Sequence, residues 1–373
     1  MRAVVACGGT GGHVCPGLAV ARALAARGVD VRLSGTRRAV ESDLVSAGEF
    51  GPPIVVGATG LRGRRPVVAK VSSLARAASA TWSARAQLRR ARPDVVLGLG
   101  GYASVPVVFA ARTLRVPTAI LEPNAEAGLA NALLSRFVDL AFVSSSDTFP
   151  RMNGRSVCAG VPVRAEFTAA GRAEAARAAA ARFGLDADLP IVLVTTGSLG
   201  AGGVNRAAAD ALSQLAREGV SQAIHLTGRS GHSELKARYD GLPGVVCLPL
   251  TRDMHAAMAA ADVVVCRAGA STLAEIAVCG LPAVIVPSPN VAGRHQDANA
   301  RAWSDAGAGL VLDESSLDGG ALLPVLRGLL GDAGRLRAMG GAARALARPD
   351  AADRVADALF DLATMVREKG KRG

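Results

Sequence analysis

Near the start of the chain, Gly8-Gly9-Thr10-Gly11-Gly12 runs directly into His13, with Pro16 three residues further on. Glycines in a strand-to-helix turn let backbone N–H groups approach an anion at the helix N-terminus, where partial positive charge already stands. His13 then has two readings. It is a polar residue at a helix entry, or it is a base facing a cleft, since neutral imidazole suits proton removal near pH 7. A second turn of the same kind is Gly197-Ser198-Leu199-Gly200-Ala201-Gly202-Gly203. Neither matches strict G-x-G-x-x-G, and no acidic residue closes the next strand, where a dinucleotide's ribose would be read. One such turn can be only a tight turn. Two in matching positions point to one ligand carrying phosphate and a partner bound with it across a cleft.

A third segment, Gly269-Ala270-Ser271-Thr272-Leu273-Ala274-Glu275, follows the apolar run Val263-Val264-Val265-Cys266. Thr272 and Glu275 have capping-box spacing, which would make Glu275 a helix-capping partner. Alternatively, its carboxylate accepts two hydrogen bonds from a ribose diol, and spacing alone does not choose. Asp186-Ala187-Asp188 has the Asp-x-Asp form used to hold a divalent ion, yet it sits before Leu189-Pro190 as a surface turn does. No metal site is expected. The six cysteines form no C-x-x-C and lie mostly in apolar stretches, as buried thiols of a reducing compartment do.

The elements that must carry these residues alternate. Val4-Val5-Ala6 is a short buried strand, an alanine-rich helix is expected from about Pro16 to Arg27, and Val29–Leu33 is the next strand, which together make a βαβ unit. The plan restarts at Pro190-Ile191-Val192-Leu193-Val194. The expected fold is therefore α/β, two Rossmann-like doubly wound domains facing each other across a cleft. Residues 1–162 form the first domain, 163–348 the second, and 349–373 a final helix, to about Val366, with a disordered basic tail. A helix over 67–90 carries Val68, Val71, Leu74 and Trp82 among Lys70, Arg76, Arg85, Arg89 and Arg90. Such a stripe is either core-facing or an interfacial membrane helix.

Half of the 373 residues are hydrophobic and a fifth are charged, a globular composition. The start of the chain reaches glycines too soon for a signal peptide, and no apolar run is long enough to span a bilayer. Residues 1–160 hold 20 Lys/Arg against 9 Asp/Glu, whereas the remainder hold 23 against 22. Nucleic acid is not the expected partner of this basic half, because aromatics make up only 3% of the chain and offer no stacking platform. An anionic membrane surface fits better.

The motifs together resemble glycosyltransferase family 28. The resemblance covers nearly the whole chain and rests on Gly8–Pro16, Gly60-Leu61-Arg62-Gly63, Gly100-Gly101-Tyr102-Ala103-Ser104 and Glu122-Pro123-Asn124 with Gly128-Leu129-Ala130-Asn131. Pro162-Val163-Arg164, Gly197–Ala201 and Arg267–Glu275 complete it. It implies a GT-B fold with the donor in the C-terminal domain. The implied activity is metal-independent, inverting transfer of N-acetylglucosamine from UDP to lipid I, forming lipid II at the cytoplasmic face of the cell membrane. No cofactor is implied, since the UDP-sugar is a substrate. By motif, Thr10, Gly11, Gly12 and Ser198 would lie near the donor diphosphate, with Asn124 and Arg164 also touching the donor. Ala270, Ser271, Thr272 and Glu275 would bind the nucleoside, with Glu275 on the ribose, and Gln296 would reach the transferred sugar. His13 would be the base. Gly101, Tyr102, Ser104 and Glu122 would form the acceptor side. Pro123, Val161, Thr196 and His295 depart from the usual family pattern and leave the transferred sugar and the acceptor less defined than the fold. A paralogue acting on another lipid-phosphate acceptor is the alternative, and a non-catalytic scaffold a more distant one.

Overall fold

The computed structural model describes residues 1–7, 11–37, 44–46, 48–57, 67–145, 148, 152, 154–168, 172–289 and 294–372; residues 11, 67–75, 172–175, 319 and 366–372 are described in backbone only. The chain forms two compact units, Met1–Arg164 with Arg348–Gly373, and Ala165–Ala347.

In the first unit the strands are β1 (Arg2–Ala6), β2 (Asp30–Gly35), β3 (Gly51–Val55), β4 (Val95–Gly98), β5 (Thr118–Glu122), β6 (Leu140–Val143) and β7 (Ser156–Cys158). They pair in the order β3-β2-β1-β4-β5-β6-β7, all in parallel. Parallel sheets are covered on both faces, and the strands read accordingly as apolar runs rather than alternations. The helices are α1 (Gly11–Ala26), α2 (Val67–Ala91), α3 (Gly101–Thr113) and α4 (Leu129–Leu134). Val5 and Leu97 face a core shared with α1, whereas Val4 and Val96 face one shared with α2 and α3. The helix α1 starts at Gly11, earlier than the sequence suggests, so Pro16 lies within it and removes one hydrogen bond from its N-terminal part.

The second unit has β8 (Ile191–Thr195), β9 (Gln222–Leu226), β10 (Val245–Leu248), β11 (Val263–Cys266), β12 (Ala283–Ile285) and β13 (Gly309–Val311), in the parallel order β10-β9-β8-β11-β12-β13. Its helices are α5 (Arg172–Arg182), α6 (Gly202–Arg217), α7 (His232–Arg238), α8 (Met254–Ala260), α9 (Ala270–Cys279), α10 (His295–Asp305), α11 (Leu322–Leu330) and α12 (Ala333–Leu346).

The last helix, α13 (Ala351–Arg372), belongs to the first unit. Ala351, Val355, Ala356, Leu359 and Ala363 recur at helical spacing and are buried, the last four within the core that contains Leu18, Ala21 and Leu24 of α1. Arg27 closes the edge of this contact, reaching Asp353 at 3.0 Å and Asp357 at 2.8 Å. The expected separate tail is thus an integral layer of the first unit, and the helix continues through the basic residues to Arg372 rather than fraying after Val366. The first passage between units falls after Arg164, so that arginine stands at the edge of the first unit rather than opening the second.

Candidate active site

In each unit the sheet order reverses at one place, between β1 and β4 and between β8 and β11. Loops leaving the carboxyl ends of those strands diverge, and the crevice between them is where open α/β sheets bind ligands. Four of the glycine motifs singled out from the sequence fall at these two places, whereas Gly128 follows β5. The loop after β1 leads to α1, and Gly100 with Gly101 links β4 to α3; Gly197–Ala201 links β8 to α6, and Arg267–Gly269 links β11 to α9.

On the first unit, His13 is half-buried in the opening turn of α1, beside the exposed Gly12; Gly8, Gly9 and Thr10 lie outside the described residues, as do residues 60–63. Close packing of α1 on the sheet depends on Gly17, where a Cβ would come within 2.6 Å of Cys7 Sγ. Gly100 and Gly101 both have positive φ (78° and 69°), which turns the chain sharply into α3. Tyr102 projects to solvent. Ser104 is fully buried, and its hydroxyl donates to the carbonyls of Gly100 (2.9 Å) and Gly101 (3.1 Å). Glu122 is buried as well. Its Oε1 accepts from the backbone N–H and side-chain amide of Asn124 (3.0 and 2.8 Å), and its Oε2 accepts from Gly128 N–H and Asn131 Nδ2 (2.9 and 3.0 Å). Ser104 and Glu122 therefore hold the shape of their turns from within, and of the four acceptor-side residues Tyr102 alone offers an exposed side chain. Asn124 is fixed from its other side too, since Ser144 Oγ donates to its carbonyl at 3.1 Å. Arg164 is buried at the end of the unit.

On the second unit, Ser198 is exposed on a turn whose Gly197 and Gly200 have φ of 81° and 84°. The N-cap of α9 is Gly269, with no side-chain cap, which places Ser271, Thr272 and Glu275 inside the helix. The capping-box reading of Glu275 therefore fails: its carboxylate is buried a full turn past the helix start. Ala270 and Thr272 are half-buried at the α9 N-terminus and Ser271 is buried. Gln296, in the first turn of α10, accepts from Ser288 N–H through Oε1 at 2.9 Å. This fixes its amide orientation and leaves the NH₂ as the end that can donate. Asp186 and Asp188 are exposed in a turn, with Asp188 N–H donating to Asp186 Oδ1 at 2.9 Å, as the surface-turn reading requires. Among the described residues no cluster of His, Cys, Asp and Glu suits a metal.

Two features had no role in the sequence reading. Arg267 reaches Glu314 at 2.7 Å and donates to the carbonyls of Val286 and Pro287 (both 3.2 Å), tying the ends of β11 and β12 to the short helix Glu314–Gly319. Glu314 in turn lies against Gly203 at the start of α6, so the strut joins the two loops of this crevice. The signal was present, because a charged residue directly after an all-apolar strand invites a partner. Beneath the 197–203 turn lies a buried polar cluster of Thr196, Asn205, His225 and Tyr239, for which no spacing rule existed.

Two doubly wound parallel sheets in one chain, each with a glycine turn at its switch point, define the GT-B class of sugar-nucleotide enzymes. The chain belongs to glycosyltransferase family 28: residues 3–143 match the glycosyltransferase family 28 N-terminal domain and residues 191–355 the C-terminal domain. It is 43% identical over 94% of its length to the UDP-N-acetylglucosamine–N-acetylmuramyl-(pentapeptide) pyrophosphoryl-undecaprenol N-acetylglucosamine transferase of Halorhodospira halophila, covering 96% of that protein. The Nocardioides sp. protein of the same name is 40% identical, with 97% of this chain and 98% of the relative covered. Among solved structures, Acinetobacter baumannii MurG superposes with a TM-score of 0.73 at 31% identity, over 96% of this chain and 99% of that one. A UDP-GlcNAc 2-epimerase from Neisseria meningitidis reaches 0.71 at 11% identity and shares the fold alone.

Proposed function

We propose that this enzyme transfers N-acetylglucosamine from UDP-N-acetylglucosamine to the undecaprenyl-pyrophosphoryl muramyl-pentapeptide, forming lipid II for peptidoglycan synthesis. The observation that carries the donor half is Glu275, a buried carboxylate at the switch point of the second sheet that is not a helix cap. A carboxylate there can accept both hydroxyls of a ribose, while Ser271 and Thr272 flank the base. The 197–201 turn and the N-terminus of α6 present N–H groups to the diphosphate, with Ser198 exposed beside them. Gln296 donates through its NH₂ to a hydroxyl of the transferred sugar. Thr10, Gly11, Gly12, Asn124 and Arg164 complete the donor contacts by the family pattern.

His13 is the base. It takes the proton of the acceptor hydroxyl as that oxygen bonds to the anomeric carbon from the face opposite UDP, and the bond to the diphosphate oxygen breaks. Charge growing on departing UDP is met by helix N-termini, so the transfer needs no metal and no cofactor.

The acceptor is confined to a bilayer, and the enzyme comes to it as a peripheral protein on the cytoplasmic face. The first unit holds 27 Lys/Arg against 14 Asp/Glu and the second 16 against 17. Trp82, Leu129, Leu133 and Phe137, all on the first unit, are exposed, Leu129 at 90%. Basic residues near an anionic leaflet contribute about 1 kcal/mol each. The described helices include none long and apolar enough to cross a membrane.

The deciding experiment is turnover of UDP-N-acetylglucosamine with a soluble lipid I analogue, with and without chelator. Transfer that survives chelation supports the reading, and none with this acceptor but turnover with another lipid phosphate would move the protein to the paralogue class. Sedimentation with anionic and neutral vesicles across a salt series tests the membrane half. Equal binding to both at all salt concentrations would remove the electrostatic argument.

A further inference from the structure

The polar cluster beneath the 197–203 turn has a direction that its partners impose. Asn205, in the first turn of α6 and 1% exposed, donates through Nδ2 to the carbonyl of Thr227 at 2.7 Å. A carbonyl only accepts, so the amide orientation is fixed and Oδ1 faces the other way, toward Thr196 Oγ1 (2.9 Å) and His225 Nε2 (3.2 Å). Both must donate. His225 therefore carries its proton on Nε2, and its bare Nδ1 accepts from the Tyr239 hydroxyl at 2.7 Å. The proton order is Tyr239 to His225, His225 to Asn205, Asn205 to the Thr227 carbonyl.

That carbonyl is the floor of the turn. A Cβ on Gly200 would come within 2.5 Å of it, one on Gly228 would strike the Gly200 backbone, and Arg229 N–H donates to the Ser198 carbonyl at 3.2 Å. The segment 227–229 and the turn 197–200 thus touch backbone to backbone, and at the foot of the turn Asn205 makes the short donation to Thr227, with Thr196 Oγ1 reaching the same carbonyl more weakly at 3.3 Å. An apolar side chain at His225 would fill this position in the strand without burying polar atoms that need partners.

We propose that His225 is a positioning residue for the donor: held by Tyr239, it fixes Asn205, and Asn205 fixes the height of the 197–200 turn against the UDP diphosphate. This rests on the reading of that turn as the diphosphate site. Burial supports it by keeping the ring neutral, as the acceptor role of Nδ1 demands, pushing the imidazole down to about 4, with His232 nearby adding to the effect.

The experiment measures UDP binding by calorimetry, and KM for donor and acceptor, on the full chain and on Y239F, H225N and H225Q. A glutamine amide reaches the Nε2 position and can restore the donation to Asn205, whereas asparagine is too short. H225N is expected to weaken UDP binding and raise donor KM about three- to tenfold, the loss of one buried hydrogen bond. H225Q should return both to within about twofold of the parent, Y239F should fall between, and acceptor KM should not move. Variants that lose only thermal stability and bind UDP as the parent does would overturn the proposal. If H225N fails to fold, Y239F decides, because it removes a single oxygen. A parent chain that binds no UDP would overturn the diphosphate reading and this one with it, a result distinct from equal binding by parent and variants.

Discussion

Acidification should destabilise the second unit through His225 by an amount the structure sets. The ring is fully buried between β8, β10 and the helices above them. Asn205 faces it from α6, His232 from the start of α7 and Tyr239 from just past its end, and Cys247 lies beside it on β10, its own thiol pushed up to about 11 by burial. With no carboxylate among these partners, protonation puts an uncompensated charge in the core. The folded pKa is about 4 against 6.5 for the free side chain. A depressed folded value means that the unfolded chain binds the proton first. The stabilisation is fully present above about pH 6.5 and is lost as pH falls toward 4, by about 2 kcal/mol at pH 5 and about 3 kcal/mol at pH 4. Urea unfolding of the parent and of H225Q at pH 7, 6, 5 and 4 isolates this contribution, because every other titrating group is common to both chains. The parent should lose stability more steeply than H225Q. Parallel lines across the range would refute the buried, neutral histidine.

Three further outcomes follow from named contacts. Glu275→Ala should weaken UDP binding about tenfold or more, through lost charge-assisted hydrogen bonds, while acceptor KM holds; an unchanged UDP dissociation constant in a folded variant would remove Glu275 from the donor site. Glu122→Gln turns one oxygen that accepts two N–H groups into a competing donor, and should cost about 2–3 kcal/mol in denaturant unfolding. Gly160 has φ of 86°, and a Cβ there would meet Arg348 Cβ at 2.6 Å. Gly160→Ala should therefore lower the melting temperature, with about 1–3 kcal/mol lost, and a neutral result would show that the backbone relaxes freely at this crossing.

The strands were legible because parallel sheets are apolar on both faces, so Val4-Val5, Val95-Val96 and Ile191–Val194 announce themselves without any alternation to find. The crevice was legible through glycines, which mark where backbone must turn or approach closely. Helix limits were not. Pro16 reads as a first helical residue, yet Gly11 and Gly12 before it already lie in the helix, and Ser271 and Thr272 read as caps two and three residues too late because Gly269 does that work without a side chain. The roles of Ser104 and Glu122 were hidden for a different reason. Whether a polar residue at a strand end faces a substrate or satisfies its own loop depends on which way the side chain turns, and Glu122 turns inward to four N–H groups. The His225 cluster draws its members from β9, α6 and the end of α7, and no spacing along the chain relates them.

The return of the chain to its first unit has a consequence for how the protein is made. Synthesis runs from the N-terminal side, and the first sheet is complete once Cys158 has emerged, but the core in which Leu18, Ala21 and Leu24 of α1 pack with Val5 and Leu97 lacks Val355, Ala356, Leu359 and Ala363 until α13 is translated. The second unit, continuous from Ala165 to Ala347, is finished earlier. Domains usually fold in the order in which they leave the ribosome. Here the first to appear is the last to close, and through the whole synthesis of the second unit its core lacks the side chains of α13. A nascent chain of this kind is a natural client for a chaperone.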